Sequence, residues 1–216
     1  MLATDLLAAW EEGGGQDALD RAVTMLAALG GVPADEAARI DVARRDAVLT
    51  SALRALSGRS LLVGELTCDG CGDPLDIPVD LAALPDPPPA VDGVPFALPT
   101  SEDLRLVRGM SPEEARSFLL ARYARVPGAG DERWAEAMEV AAPASAVTIA
   151  ATCPECGTVT RADLDVSVLL WAEFERHAVE LLAQVHLLAS AYGWTEDEVL
   201  ALGPRRRATY LRMAAG

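Results

Sequence analysis

The sequence has 216 residues, of which 51% are hydrophobic and only 5% aromatic, enough apolar material for a core without disulfide bonds. Its 33 acidic residues outnumber 18 basic residues, so the formal net charge is −15. This charge repels phosphate backbones and anionic lipid, which argues against nucleic acid and membranes as partners. Because alanine and leucine replace aromatic residues, the composition favours helices over a β-sandwich.

The start of the sequence predicts no export. It has no cationic stretch and carries Asp5 and Glu11, unlike a signal peptide. No apolar run reaches the roughly 18 residues of a transmembrane helix. We therefore expect a cytoplasmic protein in a reducing compartment, where paired cysteines more often bind metal or do redox work than form disulfides.

Residues 1–58 are the first of three predicted parts and have an entirely helical pattern. Thr4 can cap a short helix that ends before the glycines at 13–15. A second helix is predicted from about 17 to 29, and a third lies within 41–57. Their apolar stripes are typical of a core.

The second part, residues 59–164, contains two copies of a strand–knuckle–strand pattern. An insertion at about 81–145 separates the copies. It begins with six prolines between 84 and 99, which predict an extended connector. A helix is expected to start at Ser111, which has a capping-box glutamate three residues later, and another covers 131–141.

Two CxxCG units are the strongest chemical signal in the sequence. Two cysteines separated by two residues can direct both sulfurs at one centre, and the following glycine relieves the tight turn. Together the units supply the closed tetrahedral set of a structural zinc site, with no coordination position left open. We therefore predict one structural zinc ion bound by four ligands: Cys68, Cys71, Cys153 and Cys156.

Two other interpretations of these cysteines stay open. A redox CxxC normally opens a helix after a strand, where the helix terminus lowers the thiol pKa, whereas here a turn and a strand follow each unit. The cysteines can also be unliganded. No histidine lies beside either unit; His177 and His186 are nine residues apart and are expected to be partly buried helix residues.

The third part, residues 165–216, is predicted to be a long helix followed by a helical hairpin. The long helix runs for up to about 27 residues towards Gly193. Thr195 opens the hairpin with a second capping box, and Gly203 and Pro204 make its turn. The fold class is therefore α+β, mostly helical, with a four-cysteine zinc ribbon formed by two distant CxxCG knuckles.

The last predicted helix carries a cluster of arginines. One interpretation is functional: the hairpin is a small basic helix–turn–helix that binds DNA or an acidic partner. The other is structural: the arginines cover the exposed side of a terminal helix, which is the default arrangement. Aromatic and arginine residues dominate binding hot spots, so five residues are candidates for partner contact: Trp194, Arg205, Arg206, Arg207 and Tyr210.

Several stretches, in order along nearly the whole chain, resemble the baseplate hub assembly chaperone family of T-even-type phages. This family occurs in loci for contractile tails and phage-derived contractile injection systems. The most specific stretch is HLLASAYGWTEDEV at 186–199, which leads into the basic helix. The others are residues 6–11, 44–49, 75–80 with the preceding knuckle, 98–104, the second knuckle and 204–211.

The resemblance implies a protein-binding factor that assists assembly of a baseplate hub, in the cytoplasm of a bacterial or phage-infected cell. It implies a hub or spike protein as partner and no catalysis. Three alternatives stay open: a permanent structural component of the baseplate, a zinc-ribbon DNA-binding regulator and a thiol enzyme.

Overall fold

The structure, a computed structural model, describes residues 2–85, 98–123, 136, 140–145 and 147–214. Its helices and strands follow in chain order: α1 (Ala3–Gly13), α2 (Ala18–Gly30), α3 (Ala34–Ala38), α4 (Val42–Ser57), β1 (Leu61–Thr67), β2 (Pro74–Asp80), α5 (Ser101–Leu106), α6 (Pro112–Tyr123), a 3-10 turn (Pro143–Ser145), β3 (Thr148–Thr152), β4 (Val159–Asp163), α7 (Val166–Tyr192), α8 (Glu196–Leu200) and α9 (Pro204–Ala214). The mostly helical α+β fold predicted from the sequence is confirmed.

The first helices begin and end at local side-chain signals. The carboxylates of Asp17 and Asp41 accept hydrogen bonds from the backbone N–H groups three residues later, which caps α2 and α4. The predicted cap at Thr4 is wrong: α1 already begins at Ala3, because the carboxylate of Asp5 accepts the N–H of Leu2 at 2.9 Å.

Helix α7 is the centre of the core. Its first half packs against α1, α2 and α4, and α2 also contacts α4. The largest fully buried side chains lie in this interface: Met25, Leu49, Leu53, Leu170 and Phe174. Burial of each such side chain contributes about 1.5–3 kcal/mol, so this four-helix contact is the main source of stability.

Two antiparallel hairpins lie beside the helices, one formed by β1 and β2 and the other by β3 and β4. The side chains of Leu75, Ile77 and Val79 alternate with exposed residues along β2 and are buried. Pro78 pairs with Val63 in a sheet of two strands, where both strands are edge strands, as predicted for β2. Each hairpin ends in one of the cysteine units.

The described residues of the insertion attach to the N-terminal helices. The carboxylate of Asp20 in α2 accepts hydrogen bonds from Arg105 at 2.7 Å and Arg108 at 2.9 Å. The predicted capping box at Ser111 is present and starts α6. Most of the proline-rich stretch and most of the helix predicted at 131–141 lie outside the described residues.

The second half of α7 extends from the core and carries the predicted helical hairpin of α8 and α9. A separate small apolar cluster forms there, centred on Val185, Leu188 and Val199. Although α7 has 27 residues, no helix in the described ranges is long and apolar enough to cross a membrane.

Candidate metal centre

The two cysteine units fold into the same turn. The N–H of Cys68 donates to the carbonyl of Asp73 at 2.8 Å, and the N–H of Gly72 donates back to the carbonyl of Cys68 at 3.0 Å. In the second unit Cys153 donates to Thr158 at 2.9 Å, and Gly157 donates to Cys153 at 3.0 Å.

The glycine after each cysteine pair is required by this turn. Gly72 has a φ of 81° and Gly157 a φ of 74°, both in the left-handed region that side chains disfavour. The sequence prediction that these glycines relieve a tight turn is therefore confirmed. The two copies of the CxxCG pattern have the same backbone conformation.

The two turns face each other and bring all four sulfurs together. The Sγ atoms of Cys68 and Cys156 are 3.6 Å apart, as are those of Cys71 and Cys153, and all four atoms lie within 4.8 Å of one another. A tetrahedral metal with bonds of about 2.3 Å to sulfur separates its ligands by roughly 3.8 Å. A disulfide would need about 2.05 Å, and the four cysteines are free. The group could therefore hold one metal ion.

Direct contacts hold one turn against the other. The N–H of Asp69 donates to Oγ1 of Thr160 at 3.0 Å, and the Thr160 side chain is buried. Cys68 and Cys153 are buried with Leu75, whereas Cys71 and Cys156 face solvent. One sulfur of each pair is thus fixed in a small apolar cluster while the other remains accessible for metal entry.

Backbone and hydroxyl donors favour the thiolate form of two cysteines. The N–H groups of Cys71 and Gly70 lower the pKa of Cys68 to about 6. The hydroxyl and then the N–H of Thr158 lower the pKa of Cys156. Since metals bind thiolates, these donors favour binding at neutral pH.

Cys71 behaves in the opposite way. The N–H of Asp73 favours its thiolate, but desolvation and the Asp73 carboxylate outweigh that contact and raise the pKa of Cys71. Its thiol donates to the Asp73 carboxylate at 3.3 Å. Metal binding must therefore displace a proton from Cys71, which makes binding depend on pH.

The other predicted site residues lie far along the chain, in the C-terminal hairpin. Trp194 and Tyr210 are half-buried: Trp194 stacks on Tyr192, and Tyr210 meets both rings edge to face, with ring centroids 4.8–5.9 Å apart. They belong to the small cluster under α8 and α9, so both contribute to packing there. Arg205 and Arg206 are exposed, and Arg207 is half-buried.

The two histidines do not join the cysteine group. His177 is half-buried, and its Nε2 lies 2.9 Å from the carbonyl oxygen of Leu56. His186 is exposed, so the prediction that it is partly buried is wrong. Among the described residues, the four cysteines are the sole group of metal-binding side chains this close together.

The buried charge of Glu173 was not predicted from the sequence. The side chain of Glu173 is 5% exposed and accepts hydrogen bonds from Arg59 at 2.9 Å and from Arg176 at 2.6 Å. Burial alone would raise the pKa of Glu173, but the two arginines hold it below its ordinary value. Arg59 and Glu173 are far apart in the sequence, so their ion pair could not be read from it. The one signal in the sequence was the spacing of Glu173 and Arg176, which places an acidic and a basic side chain one helical turn apart.

Comparisons of the chain with models of protein families, with curated proteins and with solved structures find no match. The description of the cysteine group therefore depends on this chain's own residues. The family suggested by the sequence stays a prediction.

Proposed function

We propose that this chain is a zinc-stabilised, non-catalytic protein-binding factor that assists assembly of the baseplate hub of a contractile tail or injection system. The zinc-stabilised, non-catalytic part of this proposal is supported by one observation, the set of four sulfurs within 4.8 Å of one another. Four thiolates fill a tetrahedral metal completely, so no position remains for a substrate or an activated water. The metal then has a structural role.

Zinc is the metal that this donor set favours. Tetrahedral sites of four sulfurs select zinc or iron, and two facing hairpins with knuckles are typical of zinc ribbons. Zinc binding in such sites contributes on the order of 10 kcal/mol to folding. The ion would tie β1–β2 to β3–β4, which also meet through the Asp69–Thr160 hydrogen bond and the small apolar cluster of Cys68, Leu75 and Cys153. Metal analysis that finds iron, or no metal in folded protein, would contradict this part.

The assembly role is supported by the resemblance at 186–199 and by the charge of the chain. A strongly acidic protein is suited to shielding a subunit whose apolar interfaces stay exposed until its neighbours bind. A factor that must leave again cannot bind too tightly, so we expect a dissociation constant between about 0.1 and 1 μM. The partner would be a hub or spike subunit.

Deletion of the gene and analysis of particles test this role. Without the protein, the hub subunit should aggregate or fail to enter baseplates, and sheaths should not assemble. Tagged protein should co-purify the hub subunit from cell extracts but be absent from intact particles. Finding it in particles at a fixed ratio to the hub would establish the alternative, a permanent baseplate component.

A further inference from the structure

A groove separates the main core from the C-terminal hairpin. It has a volume of about 830 Å³. One wall comes from the start of α1 and the end of α4, the floor from α7, and the other wall from α8 and α9. Seven leucines contribute to its apolar lining: Leu2, Leu6, Leu29, Leu56, Leu181, Leu200 and Leu202.

Two of the six polar side chains that line the groove are engaged within the chain. His177 contacts the carbonyl of Leu56, and Glu180 is bound to Arg176 at 2.6 Å. Most of the residues that line the groove are nevertheless apolar. Apolar contact is what the walls provide, as in grooves that bind one face of an amphipathic helix.

Unpaired positive charge lies at one end of the groove. Arg207 lines it, and the two residues that precede Arg207 in α9, Arg205 and Arg206, are exposed. Within the part of the chain that the structure describes, none of the three forms an ion pair. They also occupy the first turn of α9, where the helix dipole disfavours cations, so helix stability does not account for them. Carboxylates of a partner would complement them.

We propose that this groove binds an acidic amphipathic helix of the partner protein. The apolar face of that helix would cover the leucines, and its carboxylates would face Arg207 and the two arginines beside it. Asp197, on the α8 side, would repel those carboxylates and so favour placing them next to α9. This inference rests on the proposed protein-binding function and names its surface and the chemistry of its partner.

Binding of a synthetic peptide tests the groove directly. The probe is a fluorescent helical peptide of about 18 residues, with leucines at positions i, i+3, i+4 and i+7 and glutamates elsewhere. A second peptide carries arginines in place of the glutamates. At physiological salt we expect the acidic peptide to bind the full chain with micromolar affinity, about tenfold more tightly than the basic peptide. This order opposes the net charge of −15, so general attraction cannot produce it.

Matched variants locate the binding. Ala55 is exposed and lines the groove, whereas Ala8 is exposed on α1 and does not. Ala55→Glu and Arg207→Glu should each weaken binding by about tenfold or more. Ala8→Glu and Arg212→Glu carry the same charge changes away from the groove and should stay within about twofold. Bound metal and melting temperature establish that each variant is folded.

The proposal is overturned if the basic peptide binds more tightly, if the acidic peptide does not bind, or if Ala55→Glu leaves binding unchanged. Co-purification separates this failure from that of the function. If the wild type and Ala55→Glu capture the hub subunit equally, the groove is wrong and the assembly role stands. If the wild type captures no baseplate subunit while the peptide results hold, the assembly role is wrong and the groove stands.

Discussion

Gly70 and Cys156 belong to different knuckles, yet a Cβ atom on Gly70 would lie 3.0 Å from the sulfur of Cys156. The same atom would lie 2.4 Å from Oγ1 of Thr158, closer than such contacts can be. The absence of a side chain at this position is therefore what lets the two turns approach within metal-binding distance.

Gly70→Ala should consequently weaken metal binding without changing any ligand. We expect at least about tenfold lower affinity, because the second turn must move away from the first. A zinc competition titration measures it. The matched control is Gly64→Ala in β1, where a Cβ would make ordinary contact with Val79 at 3.8 Å. Equal affinities for the two variants would contradict the close approach.

Purified protein should contain one zinc ion per chain, measured by elemental analysis. Cys153→Ser should lose the metal and unfold or aggregate, because a buried ligand of a closed site is removed. Glu155→Ser alters an exposed, non-ligating residue of the same knuckle and should keep both metal and fold. A well-folded, metal-free protein with four titratable thiols would refute the zinc site.

Glu173→Gln should lower the free energy of unfolding by about 2 kcal/mol at pH 7, since the amide removes the charge and replaces one of the two acceptor oxygens that face the arginines by a donor. Glu180 also binds Arg176, at 2.6 Å, but is 51% exposed. Glu180→Gln should therefore cost no more than about 0.5 kcal/mol. Denaturant unfolding measures both changes. Equal effects would show that burial of Glu173 does not increase the contribution of its ion pairs to stability.

The effect of Glu173 should also depend on pH. Its pKa in the folded protein lies below the ordinary value of 4.5, so the ionised carboxylate stabilises the fold above that pH. This contribution is lost as the pH falls below about 4.5 and through the folded-state pKa. The stability difference between wild type and Glu173→Gln should accordingly shrink below that pH, and a constant difference would contradict the linkage.

Duplex DNA should not bind measurably near physiological salt, because the net charge of −15 opposes it. The arginines at 205–207 provide a single short basic run, and the remaining surface repels phosphate. Fluorescence anisotropy with a labelled duplex checks this. Sub-micromolar affinity that falls steeply with added salt would favour the regulator over the assembly factor.

Local sequence signals predicted the knuckles, the long helix and the capped starts of α6 and α8 correctly, but not the start of α1. The CxxCG spacing specifies the turn because Gly72 and Gly157 are needed at positive φ, and the Thr195 and Ser111 boxes fix helix starts through bonds within four residues. The meeting of the two knuckles was also predictable, since neither cysteine pair can enclose a metal alone.

Other features were not predicted, for separate reasons. Helices α3 and α5 have five and six residues, too few to show an apolar period. The capping box at Thr100, closed by Asp103, was a readable signal for α5 that was missed. The Glu173–Arg59 pair and the groove arise from packing between distant segments, which spacing along one segment does not encode.

The 81 residues between Cys71 and Cys153 also set the timing of synthesis and folding. A ribosome that adds about 5–20 residues per second needs roughly 4–16 s to cross that interval, and during it the nascent chain holds half a metal site. The apolar faces of α1, α2 and α4 likewise wait for α7, which is made after the second knuckle. Metal capture and closure of the core are thus late events of translation, and a chain broken off before Cys153 achieves neither.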